Sequence, residues 1–480
     1  MSTDTSLLAP LRVEDAALAV EVRRGLLAFG YNGDAVRMAI SESRAPGAAP
    51  ADHGALAMRM PPVSPLACLI RAFVLNAATP EEAMRAQLGA EFFDLCETAG
   101  LWSHVEQGVV GSVVVMVDGK TFLLSDHAGT RLGDLAMHWV MGIGTSTMKL
   151  AHSVARRPYE RVLDLCCGGG IQAFMLSPHA KQIVAVDRNA RALNYGRFGA
   201  GMNKFNNITF RESDCYSAVE GEKFDAIVCN PPYVLTPDRQ TYYRDGGMGG
   251  DRFAEKILRE APAYLREGGL AHVMCDVAAM DGQSSEARLR GWLAGNGCDV
   301  LAIGSRAVDA ATYARNWLRK DGEPLEERRW IDSFRELGVA GVTNTLVVLR
   351  KRTAGGPNWF LPESIAAEPK GYFGHQVARA FACQDLLQLE DDAIGTTKLR
   401  LAAEVRVVNT LRPESGKWLP ESSRITFAEG LAREYPVDPQ TAAVLALFDG
   451  RRKTVDVLPG GQFRMGHVRQ LVGYGVLEPV

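Results

Sequence analysis

Residues 161–176 have the sequence RVLDLCCGGGIQAFML. The run around Val162, Leu163 and Leu165 is short and apolar, as in a buried β-strand, and IQAFML is typical of the start of a helix. Three consecutive glycines, residues 168–170, lie between them. Glycines let the backbone N–H groups of such a turn approach a ligand at the positive end of the helix. The stretch therefore predicts the strand–loop–helix unit with which many doubly wound α/β folds bind a nucleotide.

Two further strands with acidic residues at their ends follow the glycine-rich loop. Residues 182–189 (QIVAVDRN) predict a second strand ending at Asp187, and residues 208–216 (ITFRESDCY) predict a third strand followed by Asp214. A carboxylate at the end of the second strand can accept hydrogen bonds from both hydroxyl groups of an adenosine ribose. We expect Asp214 to lie near the adenine amino group. A solvated loop or a helix cap is the alternative role for each acid.

Residues 224–237 (FDAIVCNPPYVLTP) begin with an apolar run that predicts a buried fourth strand. The tetrapeptide N-P-P-Y, residues 230–233, then lies at the carboxyl end of that strand, where ligands bind in open α/β sheets. The amide oxygen of Asn230 and the carbonyl of Pro231 can accept hydrogen bonds from a planar –NH2 group, and Tyr233 can stack on it. Such hydrogen bonds favour positive charge on a nitrogen that is being alkylated. A rigid loop without chemistry is the alternative interpretation.

Both motifs resemble those of known enzymes. The order D-L-C-C-G-G-G from Asp164 resembles the first motif of class I methyltransferases, and N-P-P-Y resembles the N/D/S-P-P-Y/F motif of amino-methyltransferases. The latter include release-factor and ribosomal-protein glutamine methyltransferases, guanine methyltransferases of ribosomal RNA and adenine methyltransferases of DNA. Residues 241–274 are similar to the glutamine enzymes in having a Gly-Gly-x-x-Gly loop before a helix and a strand. The resemblance covers residues 150–351.

This resemblance implies that S-adenosylmethionine is the cofactor and that the glycine-rich loop holds its methionine part. With the acids at the strand ends, it assigns these residues to cofactor binding: Asp164, Cys166, Gly168, Gly170, Asp187, Arg188, Asp214, Cys215 and Asn230. The residues expected to act on the substrate are Asn230, Pro231 and Tyr233. No metal site is predicted, because the histidines share no metal-like spacing with cysteines or acids.

Two features near this loop have alternative interpretations. Residues 141–151 (MGIGTSTMKLA) resemble a segment that closes over the cofactor in such enzymes. Thr145 and Ser146 are candidate contacts of the cofactor carboxylate, or simple helix caps. Cys166 as a reactive nucleophile is a rival to its role as a small loop residue, but the loop contains no histidine to activate a thiol.

The composition favours a soluble cytoplasmic protein. The 480 residues carry a net charge of -3, so bulk charge does not attract the chain to nucleic acid or to a membrane. The first residues show no secretory signal pattern, and no apolar run is long enough to span a membrane. Nine cysteines without a C-x-x-C pair indicate reduced thiols.

Residues 1–139 are predicted to form a mainly helical N-terminal domain. An apolar stripe predicts an amphipathic helix over residues 11–31, and the Pro/Ala/Gly-rich stretches that follow predict a loop. From Ser64 onward we expect three short helices and then a hairpin that turns at Asp118-Gly119. This layout is typical of a winged helix.

A winged helix often binds DNA through its third helix. That helix would here be AEFFDLCETAGLW, which contains Glu91, Asp94 and Glu97 but no lysine or arginine. A helix that enters the major groove should be basic. The sequence therefore favours protein docking, dimerisation or a substrate lid over nucleic-acid binding by this domain.

The predicted fold is an α/β, doubly wound, Rossmann-like core of the class I methyltransferase type over residues 140–352. Residues 353–480 are predicted to form a C-terminal α+β, winged-helix-like domain, with β-strands around KLRLAAEVRVVNTL. The flanking domains differ from the helical bundle of glutamine methyltransferases and from the duplicated core of the guanine enzymes. The resemblance therefore implies the reaction and the cofactor more strongly than the substrate.

Three functions are compatible with these patterns. The favoured one is N-methylation of an amide or amine of a macromolecule, either a protein glutamine or a nucleic-acid base. The second is methylation of a small amine-bearing metabolite, with the flanking domains forming a lid and the contacts of a homodimer. The third is a binding module that keeps the fold and the cofactor without catalysis. A membrane partner is not expected.

Overall fold

The computed structural model describes residues 9–13, 15–44, 52–127, 136–237, 248–321, 326–458 and 463–480. The Gly-Gly-x-x-Gly loop predicted after the N-P-P-Y motif begins at residues 246–247, which lie outside the described residues. Within the described ranges, no helix is both long enough and apolar enough to cross a membrane.

Helices and two hairpins form the N-terminal region. The helices are α1 (Ala16–Ala28), α2 (Gly33–Ser43), α3 (His53–Arg59), α4 (Pro65–Phe73), α5 (Glu81–Leu88) and α6 (Ala90–Thr98), and the strands are β1 (Trp102–Val105), β2 (Gly108–Gly111), β3 (Val114–Asp118) and β4 (Thr121–Ser125). Helix α4 begins as predicted, because the Ser64 hydroxyl accepts a hydrogen bond from the N–H of Ala67 at 3.2 Å. Strands β3 and β4 pair up to Asp118 and Thr121, which confirms the predicted hairpin turn.

Two local predictions for this region were wrong in part, and two elements were not predicted. The helix expected over residues 11–31 spans only Ala16–Ala28, because the Asp15 carboxylate caps it by accepting the N–H of Ala17 at 2.9 Å. A second helix, α2, follows Asn32, whose side chain caps it in the same way. Helix α3 begins at the end of the stretch 44–54 that was expected to be a loop, and the hairpin β1–β2, which precedes the predicted hairpin, was not predicted.

A mixed β-sheet and its covering helices form the core. The strands are β5 (Tyr159–Leu165), β6 (Ala180–Asp187), β7 (Ile208–Glu212), β8 (Phe224–Cys229), β9 (Leu265–Met280), β10 (Cys298–Gly304), β11 (Val308–Asp309), β12 (Val339–Lys351) and β13 (Phe360–Ser364). The helices are α7 (Thr145–Ser153), α8 (Ile171–Leu176), α9 (Ala190–Asn203), α10 (Arg252–Tyr264), α11 (Ser285–Leu293), α12 (Ala310–Asp321) and α13 (Glu327–Leu337), with short 3-10 turns at Ala136–His138, Ser177–His179 and Ser217–Val219.

The strand order of this sheet is β13-β10-β12-β9-β8-β5-β6-β7, and β11 pairs with β12. Strands β5 to β9 are parallel, whereas β12 is antiparallel to β9 and β10. From β5 the chain moves outward to β6 and β7, and then returns to the other side of β5 as β8. The loops that leave β5 and β8 therefore diverge, and this opens a crevice at the carboxyl ends of the strands. The predicted doubly wound core is confirmed.

The central strands are buried on both faces, which explains why the sequence alone identified them. Val162, Leu163 and Leu165 of β5 are fully buried, as are Ile227 and Val228 of β8. Helices cover both faces of a parallel sheet, so its strands become continuous apolar runs rather than alternating ones.

The C-terminal region follows the sheet. Its helices are α14 (Gly374–Leu387), α15 (Asp391–Thr396), α16 (Pro439–Leu445), α17 (Thr454–Val457) and α18 (Met465–Gly473), and its strands are β14 (Lys398–Leu401), β15 (Val405–Glu414), β16 (Lys417–Phe427), β17 (Glu434–Val437), β18 (Asp449–Lys453) and β19 (Leu477–Pro479). The expected β-segment forms β14 and β15. Strand β13 pairs in parallel with β10, so residues 360–364 belong to the core sheet although the sequence placed the domain boundary at 352.

The N-terminal region packs directly on helix α9 of the core. One continuous apolar cluster contains Tyr31, Phe73 and Phe122 together with Tyr195 and Phe198 of α9. Since α9 begins three residues after Asp187, the N-terminal region lies beside the crevice at the carboxyl ends of the strands.

Candidate active site

One cavity lies in this crevice, with a volume of about 1010 Å³ that includes open solvent. It is lined by residues from four successive strand ends and from the segment before α7. Of the residues predicted for the site, those lining it are Cys166, Gly168, Asp187, Arg188, Asp214, Cys215 and Asn230. The remaining predicted residues, Asp164, Gly170, Pro231 and Tyr233, do not line it.

The glycine-rich loop is held against the end of β6. The N–H of Gly168 donates to Oδ2 of Asp187 at 2.8 Å, and the N–H of Cys167 donates to the carbonyl of Val186 at 3.0 Å. Oδ1 of Asp187 accepts the N–H of Asn189 at 2.9 Å. Burial raises the pKa of Asp187, and these backbone N–H donors lower it in part. Asp187 thus accepts backbone N–H groups of Gly168, Arg188 and Asn189, and a carboxylate, with about four lone-pair positions, keeps acceptor capacity beyond them.

Positive backbone φ angles define the shape of this loop. Cys166 has φ +56°, Gly168 has +53° and Gly170 has +84°. Gly168 and Gly170 adopt this region without strain, whereas Cys166 does not, so the backbone strain of the loop is at Cys166, beside the cavity. A side chain on Gly168 would meet no atom within 4 Å, whereas one on Gly170 would meet Phe210 at 3.1 Å. Gly170 therefore serves helix packing rather than ligand contact.

Asp164 lies beneath the loop rather than in the cavity. It is 1% exposed, and its Oδ2 accepts the N–H of Ala173 in the first turn of α8 at 2.9 Å. Its Oδ1 is buried without a hydrogen-bond partner in the described part of the chain. Burial raises the pKa of Asp164 to about 8, opposed by the Ala173 N–H and reinforced by the nearby charge of Asp187. Asp164 thus orients the start of α8 and does not line the cavity.

The third strand end contributes an exposed acid and a strained cysteine. Asp214 is exposed at the cavity wall, and Cys215 beside it is buried with φ +52°. The N–H of Ser213 donates to the carbonyl of Asp187 at 3.0 Å, which fixes this turn to the end of β6. The three predicted acids therefore differ in role: Asp187 and Asp214 line the cavity, and Asp164 supports it from below.

The cavity offers Cys166 no activating base. The described residues that line it include no histidine, and all nine cysteines, each of which is described, are unpaired. The Cys166 thiol hydrogen-bonds to Cys229, whose pKa is raised by burial and by this contact. Among the described residues, no group of three or more His, Cys, Asp and Glu could hold a metal ion.

Asn230 lies where β8 ends, at the wall of the cavity. Its Oδ1 is buried and has no hydrogen-bond partner among the described residues. Nearly all buried polar atoms of proteins have a partner, so such an acceptor indicates a position for a ligand donor. Gln172 presents a second case: its Nε2 donates to the carbonyl of Thr147 at 2.8 Å, and its Oε1 is buried without a partner within the described ranges.

Tyr233 belongs to the loop after β8, residues 230–235, which we call the acceptor loop, and it does not line the cavity. Its half-buried ring contacts three apolar clusters at once. Burial raises the pKa of its hydroxyl, which interacts with Ser146 and Asn344. Pro232 lines the cavity in its place. Ser146 thus contacts the acceptor loop. A contact of the cofactor carboxylate should line the cavity, but neither Thr145 nor Ser146 does.

A buried carboxylate lies behind the N-P-P-Y loop. Asp276 of β9 accepts the Tyr313 hydroxyl at 2.6 Å and the Asn344 amide at 2.7 Å. The Tyr313 hydroxyl in turn accepts the N–H of Leu235 at 3.2 Å. Asp276 is thus linked to the loop at two residues. One link runs through Tyr313 to Leu235, and the other runs through Asn344 to Tyr233. We call these three residues (Asp276, Tyr313 and Asn344) the acceptor-loop brace.

Sequence reasoning missed this brace and the first two residues of the cavity roof, 139 and 140. The segment 141–151, expected to close over the cofactor, contributes Met141, Gly142 and Thr147 to the cavity lining. The roof, residues 139–142, lines the cavity together with Asn189, whose side chain donates to the carbonyl of His138 at 2.8 Å. One indication was present for the brace: Asp276 is a lone acid inside an apolar strand, near its carboxyl end. The sequence carried no such indication for Tyr313 or Asn344.

Comparison with known proteins gives a consistent result. Residues 141–280 match the family model described as methyltransferase small domain. The chain is 40% identical over 125 residues to release factor glutamine methyltransferase of Xylella fastidiosa, covering 23% of this chain and 44% of that protein. It is 34% identical over 120 residues to a putative protein N5-glutamine methyltransferase of Methanocaldococcus jannaschii, covering 24% of this chain and 60% of that protein.

A third relative is ribosomal protein uL3 glutamine methyltransferase of Bradyrhizobium diazoefficiens, 30% identical over 160 residues, with 30% of this chain and 48% of that protein covered. The chain spans about half the length of these curated relatives. A solved putative methyltransferase of Bacillus halodurans aligns with 44% of this chain and 100% of that one at 14% identity and a TM-score of 0.30, too low to support the fold independently.

Fold, motifs and family match agree on the central part of the chain. The sheet has the strand order of a doubly wound core, the glycine-rich loop and N-P-P-Y meet at one cavity, and the match to the family model ends at the last residue of β9. Residues 141–280 therefore form a class I methyltransferase domain, the type that uses S-adenosylmethionine as its methyl donor.

Proposed function

We propose that the chain transfers a methyl group to the side-chain amide nitrogen of a glutamine in a protein. The observation that carries the proposal is Oδ1 of Asn230, a buried acceptor without a partner in the described part of the chain. Leaving such a group unsatisfied costs about 1–3 kcal/mol. A bound amide N–H removes this cost. The names of the relatives, glutamine methyltransferases of a release factor and of ribosomal protein uL3, support the same acceptor.

The cavity suits S-adenosylmethionine. A side chain on Gly168 would project into open space, so the backbone there leaves room for a ligand. Asp187 lines the cavity and keeps acceptor capacity beyond its backbone donors, as a contact of a ribose hydroxyl group requires. Oε1 of Gln172 offers a buried acceptor to a charged amino group. These residues, with Asp214 toward the adenine, are those we propose to hold the cofactor.

The acceptor loop supplies the chemistry that an amide requires. When bound, S-adenosylmethionine supplies an electrophilic methyl group on a positively charged sulfur. The lone pair of an amide nitrogen is delocalised, so the nitrogen is a weak nucleophile. Asn230 Oδ1 and the Pro231 carbonyl assist its attack on the methyl group by accepting hydrogen bonds from its two N–H groups as it gains positive charge. One of these protons is then released to solvent. The N-P-P-Y motif contains no strong base, and none is needed, because the N-methylated amide is formed as a cation whose N–H is strongly acidic.

The acceptor-loop brace explains how the loop keeps its orientation. An in-line displacement is sensitive to small errors in the position of the attacking atom. Asp276 is 2% exposed, and its two links fix the loop at Tyr233 and at Leu235, on the carboxyl side of Asn230. The loop is therefore rigid before substrate binds, and the free energy of binding is not spent on ordering it.

A protein acceptor is favoured over a nucleic-acid base. Helix α6 exposes Glu91, Asp94 and Glu97, and the Arg85 side chain beside it is paired with Asp94 at 2.7 Å. Such a surface repels phosphate. We further propose that the region around α4–α6 and β1–β2 is winged-helix-like and binds the acceptor protein. The pairing of Thr79 with Val109, between the helices and the hairpin, supports this architecture.

Three further proposals concern the C-terminal region, the oligomeric state and the cellular location. We propose a winged-helix-like arrangement for the C-terminal region as well, supported by the small sheet β18-β14-β19 and helix α18 beside it. Dimerisation through the flanking regions stays a prediction. An acceptor of the translation machinery would place the protein in the cytoplasm.

The experiment is methyl transfer to purified acceptor proteins. The chain is incubated with labelled S-adenosylmethionine and either a release factor or ribosomal protein uL3, and the modified residue is located by tandem mass spectrometry. The proposal expects one methyl group on a glutamine side chain and none when that glutamine is replaced by glutamate. A methyl group on lysine, arginine or a carboxylate, or transfer to RNA alone, would contradict it.

A further inference from the structure

The roof of the cavity is fastened to the N-terminal region. Asp126 follows β4, and its Oδ2 accepts the N–H of Val140 at 2.8 Å while its own N–H donates to the Val140 carbonyl at 3.0 Å. The indole N–H of Trp139 donates to the His127 carbonyl at 3.0 Å. Trp139 and Val140 line the cavity. Two residues of the N-terminal region thus hold two residues of the roof.

The same carboxylate is paired with helix α9 of the core. Arg191 Nη2 lies 2.6 Å from Oδ1 of Asp126, and the Tyr195 hydroxyl donates to that oxygen at 2.6 Å. The side chains of Asp126 and Arg191 are 0% and 4% exposed. A buried ion pair with this many hydrogen bonds is sensitive to the loss of either partner. Since Arg191 lies four residues after Asp187, the pair connects the roof to the wall that carries the proposed ribose contact.

Close packing joins the same hairpin to both cofactor loops. A Cβ on Gly169 of the glycine-rich loop would lie 2.8 Å from the carbonyl oxygen of Leu124 in β4. A Cβ on Gly142 of the roof would lie 3.0 Å from both the Met116 methyl group and the Ser125 hydroxyl. Glycine at residue 169 is thus required by the neighbouring strand rather than by a ligand.

We propose that the hairpin β3–β4 is a supporting wall behind the residues that line the cofactor site, and that Asp126 is the positioning residue that sets cofactor affinity without touching the cofactor. The Asp126 carboxylate holds the roof through Val140 and holds α9 through Arg191 and Tyr195. The cavity is thereby ordered before the ligand arrives, and ligand affinity depends on that order. The inference rests on the proposed function only for the identity of the ligand.

The test is calorimetric binding of S-adenosylhomocysteine to Asp126→Asn. We expect affinity to fall about tenfold, the effect of losing one charge-assisted hydrogen bond. The matched control is Glu404→Gln in the C-terminal region, because Glu404 is also a buried carboxylate paired with a buried arginine, Arg379. Both variants lose an ion pair and should be destabilised alike. Only Asp126→Asn should lose affinity, and equal affinities in the two variants would overturn the proposal.

A milder pair of variants covers the case in which Asp126→Asn does not fold. Tyr195→Phe removes one donor to Asp126, and Tyr159→Phe removes a hydroxyl that donates at 2.6 Å to the Ala155 carbonyl, at the opposite end of β5. Tyr195→Phe should weaken S-adenosylhomocysteine binding about threefold, because Asp126 loses one of its hydrogen-bond donors and keeps the others. Tyr159→Phe should leave the affinity unchanged. Equal binding would again contradict the proposal.

Hydrogen exchange of the Val140 amide, measured without ligand, separates this inference from the proposed function. Exchange should accelerate in Tyr195→Phe and in any folded Asp126→Asn relative to their controls. If the wild type binds no S-adenosylhomocysteine but exchange of the Val140 amide accelerates in these variants, the assignment of the cofactor is wrong, and the positioning role of Asp126 is supported. If exchange does not change, the wall is refuted whatever the ligand.

Discussion

Asp187 accepts a hydrogen bond from the backbone N–H of Gly168, with 2.8 Å between the nitrogen and Oδ2. This bond joins the loop after β5 to the end of β6, so the two motifs recognised separately in the sequence are one unit in space. The side chain proposed to hold the ribose also determines the conformation of the loop proposed to hold the methionine part. A change at Asp187 must therefore affect both ends of the cofactor.

Asp187→Ala should weaken S-adenosylhomocysteine binding by about 2–3 kcal/mol, the range of hydrogen bonds to a charged group. Calorimetry on the folded variant measures this directly. Asp309→Ala is a suitable control, since that exposed carboxylate also accepts a backbone N–H, from Thr312 at 2.8 Å, but does not line the cavity. Unchanged affinity in Asp187→Ala would remove Asp187 from the site.

Tyr313→Phe should reduce turnover through the acceptor-loop brace. The variant loses the hydroxyl that accepts the Leu235 N–H and donates to Asp276, so the loop after Tyr233 becomes less ordered. We expect kcat to fall about tenfold, while the affinity for S-adenosylhomocysteine stays the same. The Leu235 amide should also exchange faster.

Tyr159→Phe is the control for this variant, because it removes a buried tyrosine hydroxyl remote from the loop. Equal kcat values in the two variants would show that the brace has no part in turnover. An equal loss of cofactor affinity and kcat in Tyr313→Phe would instead indicate a general disturbance of the core.

Asp164→Asn should change how stability depends on pH. Burial raises the pKa of Asp164 to about 8, so between about pH 4 and pH 8 the folded chain keeps a proton that the unfolded chain has lost. The stability that the neutral acid contributes is complete below pH 4 and is lost as the pH rises toward 8. Asparagine cannot ionise and still accepts the Ala173 N–H, so the variant should lack this loss.

Denaturant unfolding at pH 5 and pH 8 measures the difference. The free energy of unfolding of the wild type should fall relative to Asp164→Asn by about 1 kcal/mol or more over this range. Asp309→Asn, at an exposed carboxylate, should show no such relative change. Parallel pH profiles for the wild type and Asp164→Asn would mean that Asp164 is already ionised in the fold.

The sheet could be predicted from the sequence because its central strands are buried on both faces. Such strands are continuous apolar runs, and the residues at their carboxyl ends, such as Asp187 and Asn230, then follow from chain order alone. The same logic failed where packing decides position. The sequence did not indicate that the ring of Tyr233 packs against three apolar clusters and does not line the cavity, and stacking of Tyr233 on a substrate stays a prediction.

The contacts that orient the site could not be predicted, because they join distant segments. Asp126 and Arg191 are 65 residues apart, and Asp276 and Asn344 are 68 residues apart. Neither pair belongs to a local motif with a recognisable spacing. Only the fold reveals that Gly169 is small because the Leu124 carbonyl lies against it.

The central claim is that Asn230 binds the nitrogen that receives the methyl group, and steady-state and binding measurements on Asn230→Ala test it most directly. The account predicts that kcat with the acceptor protein falls about 100-fold or more, the effect of deleting one preorganised charge-stabilising group. Affinity for S-adenosylhomocysteine should change by less than about threefold, because the glycine-rich loop and Asp187 still hold it. Asn230→Asp, which keeps an acceptor oxygen, should retain more activity than Asn230→Ala. Methylation by Asn230→Ala at the wild-type rate would contradict the account and would point to an oxygen or carbon acceptor instead.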